Sequence, residues 1–135
     1  MQNAPARQQI LLVDDEQDVL LELAELLENE GFACLTATSV QFALQQLTRH
    51  PDIALVITDL RMPDESGIGL IKRMRDHTAR LHLPVIVISG QTTLDDVSEL
   101  LQLQVVDFFR KPLYQARLLE TLENLFPVPR LRAVN

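Results

Sequence analysis

Polar side chains that could do chemistry stand at the ends of short apolar runs in this sequence. Two carboxylates follow the first run, one follows the third, and a hydroxyl and an ammonium group follow the last two. In chain order they are Asp14 and Asp15, Asp59, Ser89, and Lys111. A carboxylate beside a divalent ion, with a hydroxyl and a lysine nearby, is suited to accept a phosphoryl group itself. The pattern predicts this chemistry if the fold brings the five side chains together.

Three carboxylates at one place need a cation. Two unit charges about 4 Å apart repel by about 4 kcal/mol at an effective dielectric constant of 20. The ligands on offer from Asp14, Asp15 and Asp59 are all oxygen atoms, which suits a hard divalent ion. Because Ca²⁺ needs more ligands than these residues supply, we expect Mg²⁺, with Mn²⁺ able to replace it.

The elements that must position these residues are predicted from hydrophobic patterns. Residues 10–13, 54–57 and 85–88 are continuously apolar, as strands are when both faces of a parallel sheet are covered. Residues 32–37 and 105–109 fit as two weaker strands, and stretches with apolar residues three or four apart lie between the runs. We therefore predict an α/β fold, a (βα)5 doubly wound parallel sheet with the flavodoxin-like strand order 2-1-3-4-5.

The carboxyl ends of parallel strands lie at one edge of such a sheet, so the five polar residues are expected to meet there. Residues 9–126 are predicted to form one domain, with a flexible tail over residues 1–8. Residues 127–135 are expected to be a second tail or the start of a linker.

Composition excludes several classes of function. The net charge of −7, without a cluster of Lys or Arg, argues against direct binding of nucleic acid. No apolar run approaches the length of a membrane span, the first residues do not resemble a signal peptide, and Cys34 has no second cysteine to pair with. We expect a cytoplasmic protein that does not bind membranes.

Four ordered motifs resemble one family, the receiver domains of two-component response regulators, of the chemotaxis-receiver type. They are LLVDDE at 11–16, VITDLRMPDESG at 56–67, VIVISG at 85–90 and VDFFRKPL at 106–113. The resemblance covers about residues 9–126. It implies a phosphoprotein of signal transduction or of a phosphorelay, whose partners are a sensor histidine kinase or histidine phosphotransfer protein and a downstream effector protein or domain.

The resemblance also implies a role for each residue of the site. Asp59 would accept the phosphoryl group from a phosphohistidine. Asp15 and Asp59 would bind Mg²⁺ directly together with the backbone carbonyl of Arg61, and Asp14 would act largely through water. Asp14 and Asp15 could also cap the first helix, and one of them could both cap the helix and bind the ion.

The resemblance implies that three residues later in the chain complete the switch: Ser89, Phe108 and Lys111. Ser89 would bond the phosphoryl group and Lys111 would pair with it, with the Lys111–Pro112 bond cis, and Phe108 would rotate on activation. The output would be a changed surface of helix 4, strand 5 and helix 5, through which a homodimer is also conceivable. The family further implies that Arg61 and Gln91 tune the lifetime of the phosphoryl group.

The sequence shows one departure from the family pattern and allows two alternative functions. Leu103-Gln104-Val105 stands where similar proteins carry Gly-Ala, which leaves the end of the fourth helix open, and Asp64 and Glu65 are expected to lie in a solvated loop. The chain is expected not to be an enzyme, beyond assisting its own phosphorylation and dephosphorylation. The alternatives are a dimerisation scaffold that is never phosphorylated and a Mg²⁺-dependent aspartyl-phosphate phosphatase of the haloacid-dehalogenase type. Such a phosphatase would need a second Asp, as general acid, at the position where Arg61 stands.

Overall fold

Within the part of the chain that the structure describes, five parallel strands form one sheet. The computed structural model describes residues 7–127. The strands are β1 (Gln9–Val13), β2 (Ala33–Ala37), β3 (Ile53–Thr58), β4 (Val85–Ser89) and β5 (Asp107–Arg110). Their order in the sheet is β2-β1-β3-β4-β5, and these four neighbouring pairs are all parallel. The predicted fold class and strand order are confirmed.

Among residues 7–127, four α-helices and one short 3₁₀ helix connect the strands, and a fifth α-helix follows the last strand. They are α1 (Gln17–Asn29), α2 (Val40–Arg49), α3 (Gly67–Arg75), α4 (Leu94–Gln102), α5 (Gln115–Leu125) and the 3₁₀ turn Thr78–Arg80. The 3₁₀ turn was not predicted. Within residues 7–127, no helix combines the length and apolar character that crossing a membrane requires.

The sheet is covered on both faces, which explains why its strands are continuously apolar. Successive residues of β1 point to opposite faces, so Leu11 and Val13 join one core cluster and Ile10 and Leu12 join the other. The first cluster contains residues of α2, α3 and α4, and the second contains residues of α1 and α5. All four of these β1 side chains are at most 2% exposed, so the strand end that follows is held rigidly.

Residue types typical of helix ends stand at the end of α1 and at the start of α2. Gly31 follows α1 with a φ of 97°, a left-handed conformation that glycine adopts without a steric penalty. Ser39 precedes α2 and its hydroxyl accepts a hydrogen bond from the amide of Phe42.

Two expectations need correction. The N-cap of α1 is Glu16, so the capping role considered for Asp14 and Asp15 is wrong; the Asp14 carboxylate accepts a hydrogen bond from the Glu16 amide instead. The fifth strand begins at Asp107, two residues later than expected, because the chain first closes the end of α4. There Gln104 takes a φ of 61°, a conformation that costs a residue with a side chain about 1–2 kcal/mol.

Candidate functional site

The site lies at the edge of the sheet where the parallel strands end. Asp14 directly follows β1, and Asp59 directly follows β3, the central strand. Ser89 is the last residue of β4, and Lys111 directly follows β5. Because β1, β3, β4 and β5 are consecutive neighbours in the sheet, residues far apart in the chain meet at this edge.

Three carboxylates converge here as the sequence predicts. Asp14, Asp15 and Asp59 each offer an oxygen atom, and these atoms all lie within 4.8 Å of one another. Asp14 and Asp59 are 5% and 7% exposed, whereas Asp15 is exposed to solvent. Two of the three charges are therefore shielded from water while the third faces it.

The ammonium group of Lys111 partly neutralises this cluster. Its Nζ atom lies 3.1 Å from Oδ2 of Asp14 and 3.3 Å from Oδ2 of Asp59. Desolvation alone would lower the pKa of Lys111, but the hydrogen bond to Asp14 and the charges of Asp14 and Asp59 outweigh it and raise the pKa. One positive charge faces three negative ones, so an excess of negative charge remains.

The other oxygen of Asp59 is fixed by the backbone that follows it. Oδ1 accepts a hydrogen bond of 2.7 Å from the amide of Leu60, and the amide of Arg61 lies 3.5 Å away. The carbonyl of Leu60 accepts a hydrogen bond from the amide of Gly67, which closes the loop behind the site. A Cβ atom on Gly67 would collide with the backbone carbonyl of Asp59, so the glycine is required by close approach.

The donor set fits a hard divalent ion. The ligand atoms that converge are carboxylate oxygens, and the cluster contains neither a thiolate nor an imidazole. Mg²⁺ commonly takes one or two carboxylates and completes its octahedron with water and phosphate oxygens. The excess of negative charge favours a cation at this place, and the exposure of Asp15 to solvent leaves access for water and phosphate ligands.

Ser89 and Phe108 lie on the strands beside Asp59. Ser89 is fully buried, and its hydroxyl donates a hydrogen bond of 3.0 Å to the carbonyl of Gln91, so it engages the loop after β4. Phe108 and Phe109 point to opposite faces of the sheet; both are partly buried, and Phe108 packs against the cluster of α2, α3 and α4. The Lys111–Pro112 bond is cis, as the resemblance implies.

The loop between β3 and α3 is tied to its surroundings by charged side chains that sequence reasoning missed. Asp64 accepts hydrogen bonds from the amides of Val40 and Gln41 at the start of α2, at 3.2 and 3.0 Å. Glu65 pairs with Arg73 on α3 at 3.0 Å. Asp64 is exposed in this loop, as expected, but its carboxylate also satisfies amides that the first turn of α2 leaves without a partner inside the helix.

Arg61 makes the third connection of this loop. Its guanidinium lies 2.9 Å from Oδ2 of Asp96 on α4. The spacing of Thr93 and Asp96 is that of a capping box, which is a signal for the start of α4, but the pairing with Arg61 has no signal in the sequence.

An apolar groove opens beside the acidic cluster. It has a volume of about 310 Å³ and runs between α1 and the loop after β5. Its lining includes Leu23 and Leu26 of α1, Pro112 and Leu113 of the loop after β5, and Asp59 of the acidic cluster. A partner that reaches Asp59 could therefore also bury apolar surface.

Comparison with known proteins agrees with this geometry. The family model of the response regulator receiver domain matches residues 10–123. The two-component response regulator PprB of Pseudomonas aeruginosa is 34% identical over 117 residues, which are 86% of this chain and 42% of PprB. The chain thus spans less than half the length of that relative.

Solved structures show the same fold. A response regulator receiver protein from Pseudomonas putida is 36% identical, with a TM-score of 0.85 over 90% of this chain and 99% of that one. The CheX-CheY-BeF3-Mg²⁺ complex from Borrelia burgdorferi contains a chain that is 27% identical, with a TM-score of 0.80 over 88% of this chain and 89% of that one. The chain belongs to the receiver domains of two-component response regulators.

Proposed function

We propose that Asp59 accepts a phosphoryl group from a phosphohistidine and that phosphorylation switches a partner-binding surface. The observation that carries the proposal is the position of the Asp59 carboxylate. It sits at the end of the central strand, beside two further carboxylates and 3.3 Å from the ammonium group of Lys111. Membership of the receiver family supports the same assignment.

The transfer needs one bond to form and one to break. An oxygen of Asp59 attacks the phosphorus atom, the bond from phosphorus to the donor nitrogen breaks, and the histidine leaves with the electron pair and takes up a proton. Oδ2 faces Lys111, whereas Oδ1 is held by the Leu60 amide. Lys111 offsets negative charge on the group being transferred, and its fixed position requires no reorganisation during the reaction.

We propose that Asp14, Asp15 and Asp59, with the backbone carbonyl of Arg61, hold Mg²⁺. The bound ion would offset charge on the phosphoryl oxygens and on the carboxylates. The convergence of three carboxylate oxygens within 4.8 Å supports this. In the absence of the ion, the same residues repel one another and rely on Lys111.

The switch is proposed to pass through Ser89 and Phe108. A phosphoryl group adds acceptor oxygens that compete with the Gln91 carbonyl for the Ser89 hydroxyl. Drawing Ser89 inward would pull the loop that leads to α4, and Phe108, which is only partly buried, would fill the space that is vacated.

The surface that changes is proposed to be that of α4, β5 and α5. Four large apolar side chains are exposed here: Leu94 at 88%, Leu101 at 72%, Val106 at 41% and Tyr114 at 77%. Apolar surface of this kind favours association with an effector protein or domain, or with a second copy of the chain. The groove beside Asp59 is the proposed contact for the kinase or phosphotransfer protein.

Incubation with acetyl phosphate and Mg²⁺, followed by intact mass measurement, tests the function. We expect a gain of one phosphoryl group that Asp59→Asn abolishes and that removal of Mg²⁺ with EDTA prevents. A chain that gains no mass, under conditions where a known receiver does, would support the scaffold alternative instead. Repeated turnover of a phosphomonoester would support the phosphatase alternative.

A further inference from the structure

The ion pair between Arg61 and Asp96 connects the loop between β3 and α3 to the start of α4. Oδ2 of Asp96 accepts a hydrogen bond of 2.9 Å from the Arg61 guanidinium and one of 3.0 Å from the amide of Thr93. The same oxygen thus closes the capping box of α4 and holds Arg61. Arg61 is 52% exposed, whereas Asp96 is only 15% exposed, so the carboxylate is the fixed partner.

Arg61 starts close to the phosphoryl acceptor. Its backbone amide lies 3.5 Å from Oδ1 of Asp59, so its long side chain can reach either Asp96 or a group bound to Asp59. The loop that carries Arg61 is fixed elsewhere, because Asp64 binds the start of α2 and Glu65 pairs with Arg73 on α3. The guanidinium can therefore change partners without movement of the loop.

A phosphoryl group on Asp59 would compete with Asp96 for this guanidinium. It carries more negative charge than one carboxylate and offers oxygens that match the planar fork of an arginine. We propose that Asp96 is a positioning residue that holds the Arg61 guanidinium away from phosphorylated Asp59 and thereby sets the lifetime of the phosphoryl group. This inference rests on the proposed phosphorylation of Asp59.

The lifetime depends on attack by water. Hydrolysis joins a water oxygen to phosphorus, breaks the bond between phosphorus and the Asp59 oxygen, and releases phosphate while the carboxylate keeps the electron pair. Water must attack phosphorus in line with the bond to Asp59, and a guanidinium bound across the outer face of the phosphoryl group occupies that position. Freeing Arg61 from Asp96 is therefore expected to slow hydrolysis.

The test measures the decay of phosphorylated protein by intact mass, after acetyl phosphate is removed and with Mg²⁺ present. Asp96→Asn keeps the shape of the side chain but removes its charge. We expect its phosphoryl lifetime to be longer by about two- to fivefold, the range expected when a partly exposed ion pair is lost. Asp96→Glu, which keeps the charge, is expected to have a lifetime close to that of the unchanged chain.

Two further variants separate positioning from helix capping. Thr93→Ala removes the hydroxyl half of the capping box and leaves both Asp96 and Arg61 in place, so its lifetime should be unchanged. In an Arg61→Gln background, Asp96→Asn should have no effect on the lifetime, because no guanidinium is left to release.

The inference is overturned if Asp96→Asn leaves the lifetime unchanged, if Thr93→Ala lengthens it as much, or if the effect of Asp96→Asn persists without Arg61. These outcomes differ from failure of the proposed function, in which the unchanged chain itself gains no phosphoryl group. The unchanged chain is therefore measured first, and decay rates are compared only among variants that become phosphorylated to a similar extent.

Discussion

The acidic cluster should make the protein less stable than it would be with one carboxylate fewer. Replacing Asp59 by asparagine keeps the size of the side chain and an oxygen that can accept the hydrogen bond from Leu60. It removes one negative charge from a group of three. We expect Asp59→Asn to stabilise the fold in the absence of divalent ions.

The magnitude follows from the distances in the site. At an effective dielectric constant of 20, each repulsion of Asp59 by Asp14 and Asp15 across 4.8 Å costs about 3.5 kcal/mol. The attraction between Asp59 and Lys111 at 3.3 Å contributes about 5 kcal/mol on the same scale. The two repulsions together exceed the attraction, so the substitution should raise the free energy of unfolding by about 2 kcal/mol.

Thermal unfolding in EDTA and in millimolar Mg²⁺ provides the assay. In EDTA the midpoint of Asp59→Asn should lie about 6 °C above that of the unchanged chain. In Mg²⁺ this advantage should shrink, because an ion that binds only the folded state stabilises the unchanged chain more than the variant.

A matched control separates the site from general charge effects. Glu25→Gln removes one negative charge from the exposed face of α1 and should change the free energy of unfolding by less than about 0.5 kcal/mol. If Asp59→Asn is no more stable than the unchanged chain in EDTA, the account of the site as a cluster of repelling charges is wrong.

Three further predictions concern the elements around the site. Gln104→Gly should stabilise the fold by about 0.5–1 kcal/mol in chemical denaturation, because glycine adopts a φ of 61° without strain; no gain would contradict the strain assigned to this residue. Gly67→Ala should destabilise the fold by about 1–3 kcal/mol and reduce phosphorylation by acetyl phosphate, since its Cβ would collide with the Asp59 carbonyl; a variant of unchanged stability and labelling would refute this. Asp64→Ala should cost about 1 kcal/mol at pH 7 through loss of its hydrogen bonds to α2. Desolvation by itself would raise the pKa of Asp64, but the amides of Gln41 and Val40 outweigh it and lower the pKa. The stability that Asp64 contributes should therefore be present above the ordinary carboxyl pKa of about 3.9 and disappear as the pH falls through the lower pKa of the folded state. Chemical denaturation between pH 7 and pH 2.5 should show the free energies of unfolding of the unchanged chain and of Asp64→Ala becoming equal as the pH falls.

The sequence alone was sufficient for the fold and for the composition of the acidic cluster. Continuous apolar runs are stable as strands only when helices cover both faces, and parallel strands must then end at one edge. Because Asp14, Asp59 and Lys111 each follow a strand directly, their meeting required no knowledge of helix packing. The roles proposed for these residues came from the motifs and remain predictions that phosphorylation assays must test.

Contacts between loops and helices were decided only in the tertiary structure. The bonds of Asp64 to α2 and of Arg61 to Asp96 join residues 23 to 35 positions apart. Hydrophobic periodicity places elements but does not fix the direction of an exposed side chain, which depends on rotamers and on how neighbouring helices pack. The groove beside α1 could not be predicted from the sequence for the same reason, because it depends on how α1 packs beside the loop after β5.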